Sequence, residues 1–392
     1  MKLHVSAIRR AILPVCLLAV TGLAFQAGSA QGAPTQTQTA QAVAVRAATS
    51  AALQLHVSGN KLVNANHATV VLHGVDRSGT EYMCVLHNGI FDGPSDAASI
   101  KAMKTWDINA VRVTLNEACW NGENYVKSAY AGSNYRSAIE AYVKLLNANG
   151  LVAIVNLTWN DGTYTGPECG STSQALCQKP MPDAAESVPF WSSVARAFKG
   201  NDAVIFDLFG EPHPGSLIGS ETASWQCWRN GGSACPGFQY QAVGMQTLVN
   251  TVRATGANNV IMLGGLAFAN DLTEWLTYEP KDPDHNLAAS WHSYNFDQCH
   301  NQLCWDSQVG PVVAKVPLIA GEIGEDDCAD NYINPLMAWL DSKSASYLAW
   351  SWNVNAGGCA PGDDLISAYS GTPTPYGAGY QSHLQSLARH HG

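Results

Sequence analysis

Between residues 70 and 353 the sequence alternates eight times between a short apolar run and a helical pattern, and few folds accept that rhythm. The runs are 70–76, 110–116, 152–159, 204–211, 260–266, 287–294, 317–324 and 347–353. Most are near-continuously apolar rather than alternating, as strands of a parallel sheet are when both faces are buried. Helical spacing is clearest over 95–105, 135–148, 190–198, 239–254, 332–340 and 380–388. In the second of these, Ile139, Tyr142, Val143, Leu145 and Leu146 share one face, and Asn149-Gly150 supplies a stop. Eight strand–helix units predict an α/β fold, a (β/α)8 TIM barrel forming a single catalytic domain over 53–392. A doubly wound open sheet is the alternative. The count of eight argues against it, and so does the lack of a Gly-x-Gly-x-x-Gly motif after any strand.

The N-terminus reads as an export signal over 1–33. Lys2, Arg9 and Arg10 precede an apolar run over 11–25 that is too short to span a bilayer, and Gly28-Ser29-Ala30 offers a small-residue cleavage site. Residues 34–52, rich in Ala, Gln and Thr, read as a flexible lead segment. The expected product is secreted and extracellular. Of the eleven cysteines, Cys16 falls within the signal, and the even remainder in an oxidising compartment favours disulfides. Closing short loops costs little chain entropy, so Cys169/Cys177, Cys227/Cys235 and Cys299/Cys304 are the simplest neighbour pairs. Cys84/Cys119 and Cys328/Cys359 are then the longer staples. Sequence alone leaves this connectivity open. A zinc site is the rival, but neither Cys-x-x-Cys nor His-Glu-x-x-His occurs.

Composition narrows the ligand. Only 13% of residues are charged and the net charge is −10, which becomes more negative once Lys2, Arg9 and Arg10 are removed. Nucleic acid and anionic membranes recruit basic patches, so neither is an expected partner. No membrane association is expected after signal removal, and the chain is expected to be a monomer. Twelve tryptophans with so little charge suit a neutral ligand held by stacking and hydrogen bonds.

A barrel of this kind places its chemistry at the C-terminal ends of its strands. Those ends hold His73 to Asp76, Arg112 with Asn116 and Glu117, Thr158 to Asn160, Glu211, His292 to Tyr294, Glu322, and Trp350 to Asn353. Glu211 and Glu322 each follow an apolar core, where an unpaired charge is costly and a functional one is expected. Two facing carboxylates between aromatic walls are what glycoside hydrolysis needs: one protonates the leaving oxygen, and the other attacks the anomeric carbon or activates water. Arg112 would keep the attacking carboxylate ionised, with His292 and Tyr294 hydrogen-bonded around it. Trp106, Trp191, Trp275 and Trp339 lie in helical stretches and read as packing residues. Trp120, Trp159, Trp225 and Trp228 read as loop residues facing substrate, and His73 reads as a further substrate contact.

These pieces carry a family resemblance. Leu72-His73-Gly74-Val75-Asp76-Arg77, Asn109-Ala110-Val111-Arg112-Val113, Gly210-Glu211-Pro212, Trp291-His292-Ser293-Tyr294, Gly321-Glu322-Ile323-Gly324 and Trp350-Ser351-Trp352-Asn353 follow in order. The chain thereby resembles glycoside hydrolase family 5, the cellulase family. The resemblance implies Glu211 as acid/base and Glu322 as nucleophile, and Arg112, His292 and Tyr294 as supports. It further implies Trp350 as a sugar platform, retention of anomeric configuration, and no metal or other cofactor. A β-glucan such as cellulose, cut internally, is the implied substrate. Mannan, exo action and a glycan-binding protein without turnover are the alternatives. Two positions depart from the family: Gly210 stands where it usually has Asn, and Thr158 where it often has His.

Overall fold

Eight strands close into a parallel barrel in strict sequence order, the last pairing with the first. They are β1 (His73–Arg77), β2 (Ala110–Asn116), β3 (Val152–Trp159), β4 (Val204–Asp207), β5 (Ile261–Gly264), β6 (Leu287–Tyr294), β7 (Leu318–Gly324) and β8 (Ser346–Ala349). This computed structural model describes residues 53–391 apart from 167, 168, 356, 357 and 361. The expected signal over 1–33 and lead over 34–52 lie outside the described residues. The (β/α)8 expectation holds, with helices Ala97–Lys104, Ser133–Ala148, Ser187–Phe198, Met245–Ala254, Ile333–Lys343 and Pro375–His391 around the barrel.

Strand alternation sorts each strand into two columns. One column, with Val111, Val113, Leu115, Val155, Leu157, Val204 and Phe206, packs outward against the helices. The other fills the barrel. At the bottom it is apolar, with Ala110, Ile154, Ile205, Met262, Ala288, Ile319 and Leu348 packed against Leu55 and Leu62 of the hairpin His56–Ser58/Lys61–Val63. Two residues further along the same column the chemistry changes to Arg112, Asn156, Asp207 and Ser290, all fully buried. The barrel is therefore plugged with hydrocarbon below and carries charge above.

Several boundaries differ from the sequence reading. The fourth strand stops at Asp207 rather than 211, so Glu211 stands on a loop. The first begins at His73, the fifth covers only Ile261–Gly264, and the eighth ends at Ala349. The helix expected from 239 starts at Met245, because Ala242 and Val243 are taken by backbone bridges to Asp183 and Gly231. Helix Glu221–Asn230 is an addition, capped by the Ser220 side chain. It buries Trp225 and Trp228 completely, and Trp120 is equally buried, so these three are core residues and not substrate walls. All five expected disulfides are formed: Cys84–Cys119, Cys169–Cys177, Cys227–Cys235, Cys299–Cys304 and Cys328–Cys359.

Candidate active site

Arg112, from the inner column of β2, is the hub. Its Nη1 donates to Asp76 Oδ1 at 2.7 Å and to Glu322 Oε1 at 2.8 Å, and its Nε donates to Asp207 Oδ2 at 2.8 Å. One guanidinium thus faces three carboxyl groups in a buried space. It cannot neutralise all three, and the environment decides which stays ionised. Burial raises Asp76 well above its ordinary value, against the pull of Arg112, and raises Asp207 as well. For Glu322 burial is outweighed by the charges of His292 and Arg112 and by hydrogen bonds from Tyr294 and Arg112, and its pKa is lowered. The Tyr294 hydroxyl donates to Glu322 Oε2 at 2.7 Å, so both carboxylate oxygens are held.

A bulge aims Glu322 inward. With Ile319 facing the barrel interior, simple alternation would send Glu322 outward. Instead Trp291 pairs with Ala320 and His292 with Glu322, leaving Gly321 as an extra residue. A Cβ on Gly321 would lie 2.8 Å from Ser290 Oγ and 3.1 Å from His292 Nε2, so only glycine fits this close approach.

Glu211 faces Glu322 from the loop after β4. Its side chain keeps 27% of its surface open, against 8% for Glu322. His292 Nδ1 lies 3.1 Å from Glu211 Oε1 and 3.5 Å from Glu322 Oε2. Burial, and then the charge of Glu322, raise the Glu211 pKa. Burial pushes His292 down, but the charges of the two carboxylates outweigh it and its pKa is raised. One oxygen of each glutamate and the His292 nitrogen all lie within 4.8 Å of one another, close enough to ligate a divalent cation. Arg112 and Tyr294 already engage Glu322, however, and the guanidinium charge opposes a second cation there.

Of the residues expected at the site, Arg112, Glu211, His292, Tyr294 and Glu322 come together. Trp159 and Trp350 end β3 and the β8 segment as half-buried rings, Trp159 with its centroid 6.2 Å from that of Tyr82. His73 does not join them. It shares the outward column with Val75 and packs on Tyr347, centroids 4.7 Å apart, with its Nε2 3.6 Å from Asp341 on helix Ile333–Lys343. Gly74 and Asp76 take the inward positions, so His73 is a strand-to-helix contact and not a substrate contact. Sequence reasoning passed over Asp207 and Asn156, although each is a polar residue in an inward position of a largely apolar strand.

Asn156 explains Gly210. A Cβ at Gly210 would lie 3.2 Å from Arg112 Nη2 and 3.2 Å from Asn156 Oδ1. The Asn156 amide donates to the Asp207 carbonyl at 3.2 Å and accepts from the Thr158 hydroxyl. The two departures from the family pattern are therefore neighbours: Thr158 holds Asn156 beside position 210, where any Cβ would make tight contacts of 3.2 Å.

A closed parallel barrel with two facing glutamates at the C-terminal mouth, one charge-clamped with its pKa lowered and one with its pKa raised, has the architecture of the barrel glycosidases. The sequence matches the family described as Cellulase (glycosyl hydrolase family 5) over residues 63–356, and the chain belongs to that family. It is 22% identical over 319 residues to a mannan endo-1,4-beta-mannosidase of Streptomyces lividans, covering 79% of this chain and 69% of that protein. It is 27% identical over 203 residues to Endoglucanase B of Clostridium cellulovorans, covering 50% of this chain and 41% of that protein. The β-glucanase structure from Saccharophagus degradans superposes with a TM-score of 0.63 at 17% identity, covering 85% of this chain and 93% of that one. That last likeness is one of fold.

Proposed function

We propose that this family 5 glycoside hydrolase is a secreted, endo-acting, retaining enzyme that cuts a β-glucan such as cellulose by double displacement. Glu211 gives its proton to the glycosidic oxygen as Glu322 attacks the anomeric carbon. The bond to the leaving sugar breaks, and a glycosyl ester forms on Glu322. Glu211, now a carboxylate, takes a proton from water. That water attacks the anomeric carbon, the ester breaks, and the sugar leaves with its configuration retained. The observation that carries the reading is the opposite drift of two carboxyls, Glu211 raised and Glu322 lowered, with oxygens within 4.8 Å. Retaining glycosidases hold their carboxyls about 5–5.5 Å apart, whereas inverting ones leave room for a water between them. Proton NMR of the first product released tests this: the retained β-anomer is expected, and the inverted one would sink the mechanism.

Mannan is the second reading, because a mannan endo-1,4-beta-mannosidase is among the relatives and aligns over 79% of this chain. Product analysis on carboxymethylcellulose, barley β-glucan and mannan separates the two. Binding without turnover on all three would favour a glycan-binding role instead. N-terminal sequencing of the exported protein tests the signal: a mature end within residues 30–34 is expected, and an intact Met1 would contradict it.

A further inference from the structure

On the reading above, Glu211 must deliver a proton accurately, yet it does not stand on a strand. β4 ends at Asp207, and beyond it the Gly210 N–H still donates to the Leu157 carbonyl of β3 at 3.1 Å. The main chain after that point is held by His213. The Nδ1–H of His213 donates to the Glu211 carbonyl at 2.8 Å, and its backbone N–H donates to the Pro180 carbonyl at 2.9 Å. The His213 carbonyl accepts in turn from the Ser216 hydroxyl at 2.9 Å and from the Ser216 N–H at 3.0 Å. His213 thus ties the loop of Glu211 to the segment that follows β3.

The turn after β5 closes over this imidazole. Ala267, Phe268 and Ala269 have φ values of 50°, 62° and 62°, three consecutive non-glycine residues in the left-handed region. Such a run persists only where the surroundings over-determine it. Here Leu266 and Asp271 exchange backbone hydrogen bonds, both at 3.0 Å. The Phe268 N–H donates to the Pro212 carbonyl at 3.1 Å, and the His292 N–H donates to the Ala269 carbonyl at 3.1 Å. Phe268 is thereby laid flat on His213, centroids 4.2 Å apart and planes 15° apart, while Tyr164 meets the ring edge-on at 6.4 Å. The imidazole is clamped and buried.

We propose that His213 is a positioning residue for the acid/base: clamped by Phe268, its Nδ1–H fixes the Glu211 carbonyl and so aims the Glu211 carboxyl at the departing oxygen. The assignment rests on the reading of Glu211 as the acid. The ring suits the task because it is a donor without charge. Burial pushes its pKa down to about 4. With Nδ1–H given to Glu211, a second proton would sit on Nε2, which is buried and has no hydrogen-bond partner among the described residues. A charged ring beside Glu211 would lower the pKa of the group that must keep its proton, and a neutral one orients it without that cost.

The test varies how much the leaving group needs a proton, with two aryl β-glycosides of the preferred disaccharide. Dinitrophenolate departs unprotonated, whereas phenoxide needs the proton of Glu211. His213→Phe keeps an aromatic ring against Phe268 and loses the donor. Its kcat/KM on the dinitrophenyl glycoside should stay within about twofold of wild type, and on the phenyl glycoside it should fall about tenfold. His213→Asn returns an N–H near the position of Nδ1 and should recover most of that loss. An equal loss on both glycosides would make His213 structural. No loss on the phenyl glycoside, or a His213→Asn variant no better than His213→Phe, would overturn the positioning role. Glu211→Ala tests the reading underneath, and should show the same selectivity more steeply. If it loses both glycosides equally, or keeps both, Glu211 is not the acid, and that reading fails rather than the role of His213 alone.

Discussion

At the level of single residues the site is a problem in charge counting. Arg112 is the one permanent positive charge among Asp76, Asp207, Glu211 and Glu322, with His292 beside it, so burial works against ionising all four carboxyls. Glu322 is the one kept ionised. Its lowered pKa keeps activity as pH falls below the ordinary 4.5, until its own value is reached. The raised Glu211 keeps its proton above 4.5, and activity is lost as pH rises through its own, higher pKa. The profile of kcat/KM against pH should therefore be a bell spanning 4.5. His292→Asn removes the main charge that lowers Glu322, and should move the acid limb to higher pH; an unmoved limb would contradict this electrostatic account. Gly210→Asn should not improve the enzyme, because the new side chain meets Arg112 and Asn156 at 3.2 Å. A loss of about 1–3 kcal/mol in stability is expected by denaturant unfolding, with kcat/KM reduced. A faster and equally stable variant would show that the space is open.

At the level of elements, alternation decides which residues face the cleft, and it was readable where strands are regular. Arg112 and His292 follow directly from it. His73 was misjudged because it stands in the same five-residue strand as Asp76, but an odd number of residues from it puts it on the other face. It joins His383 and Asp341, whose side chains meet at 2.8 Å, and so links β1 to the helices Ile333–Lys343 and Pro375–His391. Against its burial, the hydrogen bond from His383 and the nearby His73 ring hold Asp341 at about 2, so that link is complete above 3.8 and lost as pH falls toward 2. His73→Ala should lower stability by about 1–2 kcal/mol in thermal unfolding and leave kcat/KM unchanged. A selective loss of activity would return His73 to the cleft. The inward aim of Glu322 was not legible in the same way. It depends on the bulge at Gly321, which alternation cannot express and which only the glycine hints at. Helix Glu221–Asn230 carries a capping serine, yet it reads as a loop because its apolar face is made almost entirely of Trp225, Cys227 and Trp228.

At the level of the whole molecule, the eightfold rhythm of apolar runs carried the fold, and the even cysteine count carried the staples. What the rhythm could not supply was the depth at which hydrocarbon gives way to charge, since that depends on register between strands. Cys84–Cys119 joins the segment after β1 to the short helix Glu117–Asn121 that follows β2, on the face that carries the site, closing a separation of 35 residues. The Cys84→Ala/Cys119→Ala pair should therefore cost about 3–4 kcal/mol of unfolding free energy. A change below about 1 kcal/mol would show that barrel packing already orders those loops. The low charge of the chain fits a neutral polymer threaded past a buried ionic hub. The central claim is that Glu322, and not Glu211, forms the bond to sugar. A 2-deoxy-2-fluoro glycoside of the preferred disaccharide, with a good leaving group, should inactivate the enzyme and stop at the glycosyl ester. Peptide mass spectrometry should then find one label, on the peptide bearing Glu322. A label on Glu211, or inactivation without any covalent label, would contradict the account.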